Sequence, residues 1–357
     1  MKRAALAVAL LLGACLTASA QTSPVAGTQP ATALENFNHV DISNGLISAR
    51  VYPPGENELY RGTRFDHAGV VFHVTYRGQD YSTYWFDRFV TDPADEGKYP
   101  PGTQHSCCAT SGPVEEFAAV GFEEAGPCRE ASDGKKECGR FLKPGIGIFR
   151  RNNDDPLKFP TLPSLNAGMR LFKATKTGAR FTQDLQDKES GYGYRYIKSV
   201  QLVPGKPQMT IAHILTNTGS KPIVTTVFCH NFLGLSPGSE HLVITAPFTW
   251  RAEQPLQPEL VKLDGTTIRY LAPIPEGVTT QSVMTGFGGK ASDYDFTVTN
   301  SKTGFGQRIR ADAPIAKINM WSIRPTYSLE PYIAISLKPG ETKRWTYTYD
   351  FFGPEEK

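Results

Sequence analysis

Beyond its first dozen residues the chain has no apolar run near the roughly 20 residues that a membrane-crossing helix needs. Charge of one sign is also scarce. The formal net charge is +3, and Lys2 and Arg3 at the extreme N-terminus supply two of those charges. A nearly neutral body offers no electrostatic basis for holding nucleic acid or an acidic surface. Helical periodicity is almost missing, because 27 prolines and 33 glycines interrupt the sequence too often for long helices. No internal repeat and no break in composition divides the chain. Cysteine is sparse and unevenly placed: of six, Cys107, Cys108, Cys128 and Cys138 crowd one segment, Cys15 lies in the N-terminal run and Cys229 stands alone in an apolar strand. The adjacent Cys107-Cys108 pair is poor ligand spacing for zinc, and no paired histidines follow. Disulfides in an oxidising compartment are therefore expected, with no metal, no cofactor and a buried thiol at Cys229.

At the N-terminus, Lys2 and Arg3 precede an apolar stretch, Ala4 to Leu12, too short to span a bilayer. This is the pattern of an export leader, residues 1–20. Ala18-Ser19-Ala20 forms an A-x-A cleavage site that would release a soluble protein starting at Gln21. Leu12-Gly13-Ala14-Cys15 also resembles a lipobox, in which a lipid on Cys15 would be the sole attachment to a membrane. The position of the A-x-A site beyond the apolar run favours the soluble form, periplasmic or secreted. Residues 21–35 read as a flexible tether. From Asn38 onward, short runs rich in Val, Ile, Phe, Tyr and Thr alternate with Gly, Pro, Asn and Asp; Ile47–Tyr52, Tyr194–Val203, Met209–Thr216, Tyr332–Leu337 and Arg344–Phe351 are examples. The expected fold class is all-β, a large antiparallel β-sandwich over about residues 36–353. Between about residues 91 and 166 lies a loop-like, proline-rich segment holding four of the cysteines. It is either a binding loop or a cover for a sheet edge. Neighbouring cysteines do not readily bond to each other, so Cys107 and Cys108 are each expected to pair with one of Cys128 and Cys138.

Two separated segments carry a family resemblance. Thr216-Asn217-Thr218-Gly219 is followed by a strand ending Phe228-Cys229-His230-Asn231-Phe232-Leu233-Gly234-Leu235. Tyr327-Ser328-Leu329-Glu330-Pro331 runs on to Leu337-Lys338-Pro339-Gly340-Glu341-Thr342. In order and separation these resemble two blocks of the galactose mutarotase-like, or aldose 1-epimerase, superfamily. The resemblance implies a supersandwich fold, with His230 protonating a sugar ring oxygen and Glu330 acting as the base. Trp321, shortly before Glu330, resembles the hexose-phosphate mutarotase branch. The sequence departs from the family at Cys229, where an Asn usually precedes the His. It also lacks a second His in an H-G-G-like context and shows Gly112-Pro113-Val114-Glu115-Glu116-Phe117 instead, which leaves the sugar open.

Several other residues are candidate sugar contacts, each with a structural alternative. Arg64 and Asp66, in a dense polar cluster with His67, suit hydroxyls or a carboxylate, or a salt-bridged strand start. Glu115 and Glu116 read as solvated loop charges unless they line a cleft. Tyr194 shares a strand face with Tyr192 and Tyr196, a stripe that sheet packing explains as well as sugar stacking does. Asn231 and Trp321 flank the catalytic pair, and Arg324 is placed to clamp an acidic sugar or to lie on the surface. His213 is in phase with Ile211 and Leu215 and is expected in a core face. The functional expectation is an exported carbohydrate-active enzyme, a mutarotase, acting on a mono- or oligosaccharide. A lyase on the same fold and a non-catalytic, envelope-associated sugar-binding protein are the alternatives.

Overall fold

The computed structural model describes residues 37–55, 58–82, 110–155, 157, 162 and 164–354. The leader, the tether, Cys15, Cys107 and Cys108 lie outside them. Strand after strand shows the two-residue period that buries one face. In Gln208–Asn217 the buried residues are Met209, Ile211, His213, Leu215 and Asn217; in Thr342–Phe352 they are Trp345, Tyr347, Tyr349 and Phe351.

These two strands lie at the middle of a ten-stranded sheet. It runs from Met169–Thr175 through Gly178–Gln186, Gly193–Leu202, Gln208–Asn217, Thr342–Phe352, Gly306–Ala311, Asp295–Asn300, Leu242–Thr245 and Thr267–Tyr270 to Val261–Asp264. A six-stranded sheet faces it, ordered Arg251–Ala252, Thr280–Thr285, Lys317–Ile323, Thr326–Leu337, Ile223–His230 and Val114–Phe117. The pairings within both sheets are antiparallel. One hydrophobic cluster takes in Ile211, Leu215, Trp345 and Tyr347 from the larger sheet and Val227, Cys229, Ile333 and Ile335 from the smaller. The sheets therefore pack face to face as a sandwich, the expected fold class. Val40–Ser43, Ile47–Tyr52, Val70–Tyr76 and Gln79–Asp80 form a further four-stranded sheet.

The segment read as a loop is more structured than its composition suggests. Within its described part, Val114–Phe117 is an edge strand of the six-stranded sheet, and Arg140–Lys143 pairs with Gly147–Arg150 as a hairpin. The expected disulfide pattern is also corrected: Cys128 is bonded to Cys138. The cause is local. Arg129–Glu130 and Lys136–Glu137 form a short antiparallel hairpin with Arg129 opposite Glu137, so the next residues outward, Cys128 and Cys138, face each other. Their Cα atoms are 4.2 Å apart. Non-reducing peptide mapping is expected to return one cross-linked species joining these two residues, with Cys229 unreactive to thiol reagents until the protein unfolds. Recovery of Cys128 joined to Cys107 or Cys108 would contradict this pairing.

Candidate active site

The outward face of the six-stranded sheet carries the site. Strand Ile223–His230 pairs with Thr326–Leu337 so that Val227 stands opposite Ile333; the same register carried three residues on brings His230 level with Glu330. On the far side of Glu330 stands Asn319, and on the far side of Phe228 stands Glu116. The period of two puts Phe228, His230, Glu330, Tyr332, Asn319 and Trp321 on the face turned away from the sandwich core, while Cys229 points inward to Tyr349. A cleft of about 600 Å³ opens over this face. Arg64, Glu116, His230, Trp321, Glu330 and Tyr332 are among its walls.

Glu330 and His230 touch, with His230 Nε2 3.3 Å from Glu330 Oε1. Both are almost fully buried. Burial pushes the Glu330 carboxyl up to about 7; Arg64 pulls against this, Glu116 adds to it, and Asn319 and Lys317 favour the anion. Asn319 Nδ2 lies 3.5 Å from Glu330 Oε2 and donates to the Tyr332 hydroxyl at 2.9 Å. Burial also holds the His230 imidazole well below its ordinary range, and the Arg64 charge adds to that. Its ring stacks on Phe232 at 3.6 Å and meets the edges of Phe65 and Trp321 at 5.6 and 5.4 Å. Its Nδ1 has no hydrogen-bond partner among the described residues. Beside this pair, Arg64 Nε donates to Glu116 Oε2 at 2.8 Å. The buried Lys143 ammonium donates to the Phe117 carbonyl at 2.8 Å and lies 3.9 Å from Glu116 Oε1. Among the described residues, no group of three or more His, Cys, Asp or Glu side chains is arranged to hold a metal ion.

Neither a family model nor a curated protein sequence matches the chain. Solved structures do. The chain is similar to a candidate aldose 1-epimerase from Klebsiella pneumoniae, with a TM-score of 0.50 at 13% identity, over 86% of this chain and 77% of that one. It is also similar to a galactose mutarotase related enzyme from Lactobacillus acidophilus (TM-score 0.48, 11% identity, 88% and 98% covered). A third is an aldose epimerase homologue from C. elegans (0.49, 12%, 89% and 99%). The fold is galactose mutarotase-like. At such identities the likeness is one of fold and assigns no residue a role.

Within the mutarotase-like sandwich, the residues singled out from sequence fall into two groups. Arg64, Glu116, His230, Trp321 and Glu330 meet in the cleft. Asp66, Glu115, Tyr194, Asn231 and Arg324 are not among its lining residues. Asp66 and Glu115 are buried between the sheets with Lys198, and Tyr194 is a core residue whose hydroxyl donates to Gln183. Asn231 follows His230 just past the end of the strand and lies buried against Cys229, Leu329 and Tyr349. Arg324 is exposed, near the Ile274 carbonyl. The reading of Glu115 and Glu116 as solvated loop charges is corrected, since both sit on a buried strand. His213 is in the core as expected, beside Trp345. Reasoning from sequence passed over Gln254, Gln281 and Asn319 as cleft residues. For Asn319 a signal was present: it alternates with Trp321, two positions on, along one strand.

Proposed function

We propose that the protein is a carbohydrate-active enzyme that interconverts the anomers of a sugar bound in this cleft. The observation that supports it most directly is the buried His230–Glu330 contact, with its carboxyl pushed up to about 7 and its imidazole pushed down. Ring opening removes the proton of the anomeric hydroxyl and delivers one to the ring oxygen as the carbon–oxygen bond between them breaks. Glu330 as carboxylate accepts the first, and His230 as imidazolium supplies the second. These shifts put the resting proton on Glu330. The ionised pair that reacts is therefore the minor form, reached when that proton crosses the 3.3 Å contact to His230 Nε2, and the two transfers return the pair to neutral groups. Burial of the two side chains favours that neutral state, because it disfavours both charged forms. Closure on either face of the open-chain aldehyde runs the transfers backward. Trp321 and Tyr332 supply flat apolar walls for a sugar ring, and Gln254, Gln281 and Asn319 supply amides for its hydroxyls.

The pair acts with one shared proton, and this fixes the sign of the pH dependence. With Glu330 near 7 and His230 well below its usual value, the pair holds that proton below about pH 7 and loses it above. The rate of interconversion, followed by polarimetry or NMR exchange over a panel of neutral aldoses and oligosaccharides, is therefore expected to fall as pH rises through about 7. A rate that rises through the same range would mean that Glu330 acts alone as a base. Sugar binding in calorimetry without interconversion of any sugar would reduce the site to a binding role, and an unsaturated product absorbing in the ultraviolet would make the enzyme a lyase.

A further inference from the structure

Two short segments each send one charged side chain into the cleft and a close neighbour through to the opposite side. Arg64 reaches the cleft, while Asp66, two residues on, is buried between the sheets. On the edge strand Val114–Phe117, Glu116 faces the cleft and Glu115 the core, as successive strand residues must. The segments are bonded on three levels. Arg64 Nε donates to Glu116 in the cleft, and the Asp66 backbone N–H donates to the Glu115 carbonyl at 2.8 Å. On the core side both carboxylates meet Lys198, whose Nζ lies 3.5 Å from Asp66 Oδ1 and donates a short hydrogen bond to Glu115 Oε2.

Lys198 belongs to the other sheet. It stands opposite His213 in the pairing of Gly193–Leu202 with Gln208–Asn217. His213 Nε2 is 3.0 Å from Glu115 Oε1, and the Tyr196 hydroxyl donates to Asp66 Oδ2 at 3.1 Å. Lys198 is fully buried and lies in phase with the core residues Tyr196, Val200 and Leu202. An apolar side chain there would fill the same space without the desolvation cost of an ammonium. The charge therefore calls for a reason outside packing, and the two segments that it grips supply one.

We propose that Lys198 is a positioning residue for the cleft: by holding Asp66 and Glu115 from the opposite sheet, it sets where the Arg64–Glu116 pair stands beside Glu330. Phe65, between Arg64 and Asp66, carries the same constraint to His230, whose ring it meets edge-on at 5.6 Å. Without the ammonium, Asp66 keeps its bond from Tyr196 and Glu115 its contact with His213, but the two buried carboxylates lose the charge that neutralises them both. Without it the segments have reason to shift, and the cleft pair shifts with them.

Burial raises the Glu330 pKa most, Arg64, Asn319 and Lys317 lower it, Glu116 raises it by less than Arg64 lowers it, and His230 lies against it at 3.3 Å. Loss of the Arg64 charge raises the Glu330 pKa and loss of burial lowers it, so a displaced pair shows as a moved midpoint. The inference rests on the proposed function only for what that movement does to turnover, and the test needs no substrate. Protein labelled with ¹³C at glutamate side-chain carboxyls is titrated by NMR, the Glu330 signal being assigned as the one missing in Glu330→Gln. The wild-type midpoint is expected near 7, and in Lys198→Met it is expected to move by more than about half a unit. Where Lys198→Met does not fold, Asp66→Asn, which removes the ion pair by which Lys198 holds the Arg64 segment, is expected to move the midpoint likewise. A midpoint left at the wild-type value in the folded variant overturns the inference, whether or not any sugar is turned over.

Discussion

Glu330→Gln is expected to lower kcat/KM for anomer interconversion by about 10²–10⁴-fold, the usual worth of a positioned acid or base. The change keeps the size of the side chain and its place opposite Asn319, but a neutral amide cannot accept the proton of an anomeric hydroxyl. No loss of stability should accompany it, because a buried carboxyl gives way to a group with no charge to desolvate. Equal melting temperatures with a collapsed rate would separate chemistry from folding. His230→Ala is expected to fall by a similar factor, and the double variant no further than the worse single one, because a pair that passes one proton acts as a unit. A loss below about threefold in Glu330→Gln would remove the residue from the reaction.

The largest effect on stability is expected at Trp345. It is fully buried on the last long strand, its ring flat against His213 at 4.7 Å and edge-on to Phe117 at 6.2 Å. Trp345→Ala should cost about 3–5 kcal/mol, the range for deleting a large aromatic from a packed core. The cavity would open beside the Lys198 group, where water entering would weaken its ion pairs as well. Urea denaturation checks this through the midpoint at unchanged slope. A cost under about 1 kcal/mol would mean that the core collapses into the space, and that the two sheets are less tightly keyed than their rings suggest.

The fold was legible because its strands follow the simplest rule. Met209, Ile211 and Leu215 alternate visibly, and His213 could be placed in the core by its phase with them. His230 and Glu330 were legible through the motifs around them, although nothing local in the sequence says that they touch. That contact depends on the register between strands a hundred residues apart, which is set by pairing rather than by either segment alone. Glu115 and Glu116 were misread because two adjacent carboxylates in a proline-rich segment look solvated; their counterions, Lys198 and Arg64, lie 83 and 52 residues away in sequence. Lys198 is marked in the sequence itself, as a charge in phase with Tyr196 and Val200 where the pattern calls for an apolar residue. Tyr194 and Asn231 show the opposite error. Tyr194 belongs to a stripe of tyrosines and Asn231 follows His230, but Tyr194 alternates into the core and Asn231 bonds inward past the strand's end, away from the cleft.

The placement of Glu115 and Glu116 back to back on one edge strand makes that strand intolerant of sliding. An apolar edge strand can slip by two residues and still bury a comparable face. Here a slip of one would turn Glu115 out toward the cleft and face Lys198 with Glu116, taking Glu116 away from Arg64, and a slip of two would set Phe117 or Pro113 against the ammonium. Each misalignment strands at least one buried charge, so only the native alignment satisfies both sides at once. Insertions and deletions between Gly112 and Phe117 should accordingly be tolerated far less than point substitutions, even though the strand lies at the border of its sheet, where length changes are ordinarily absorbed.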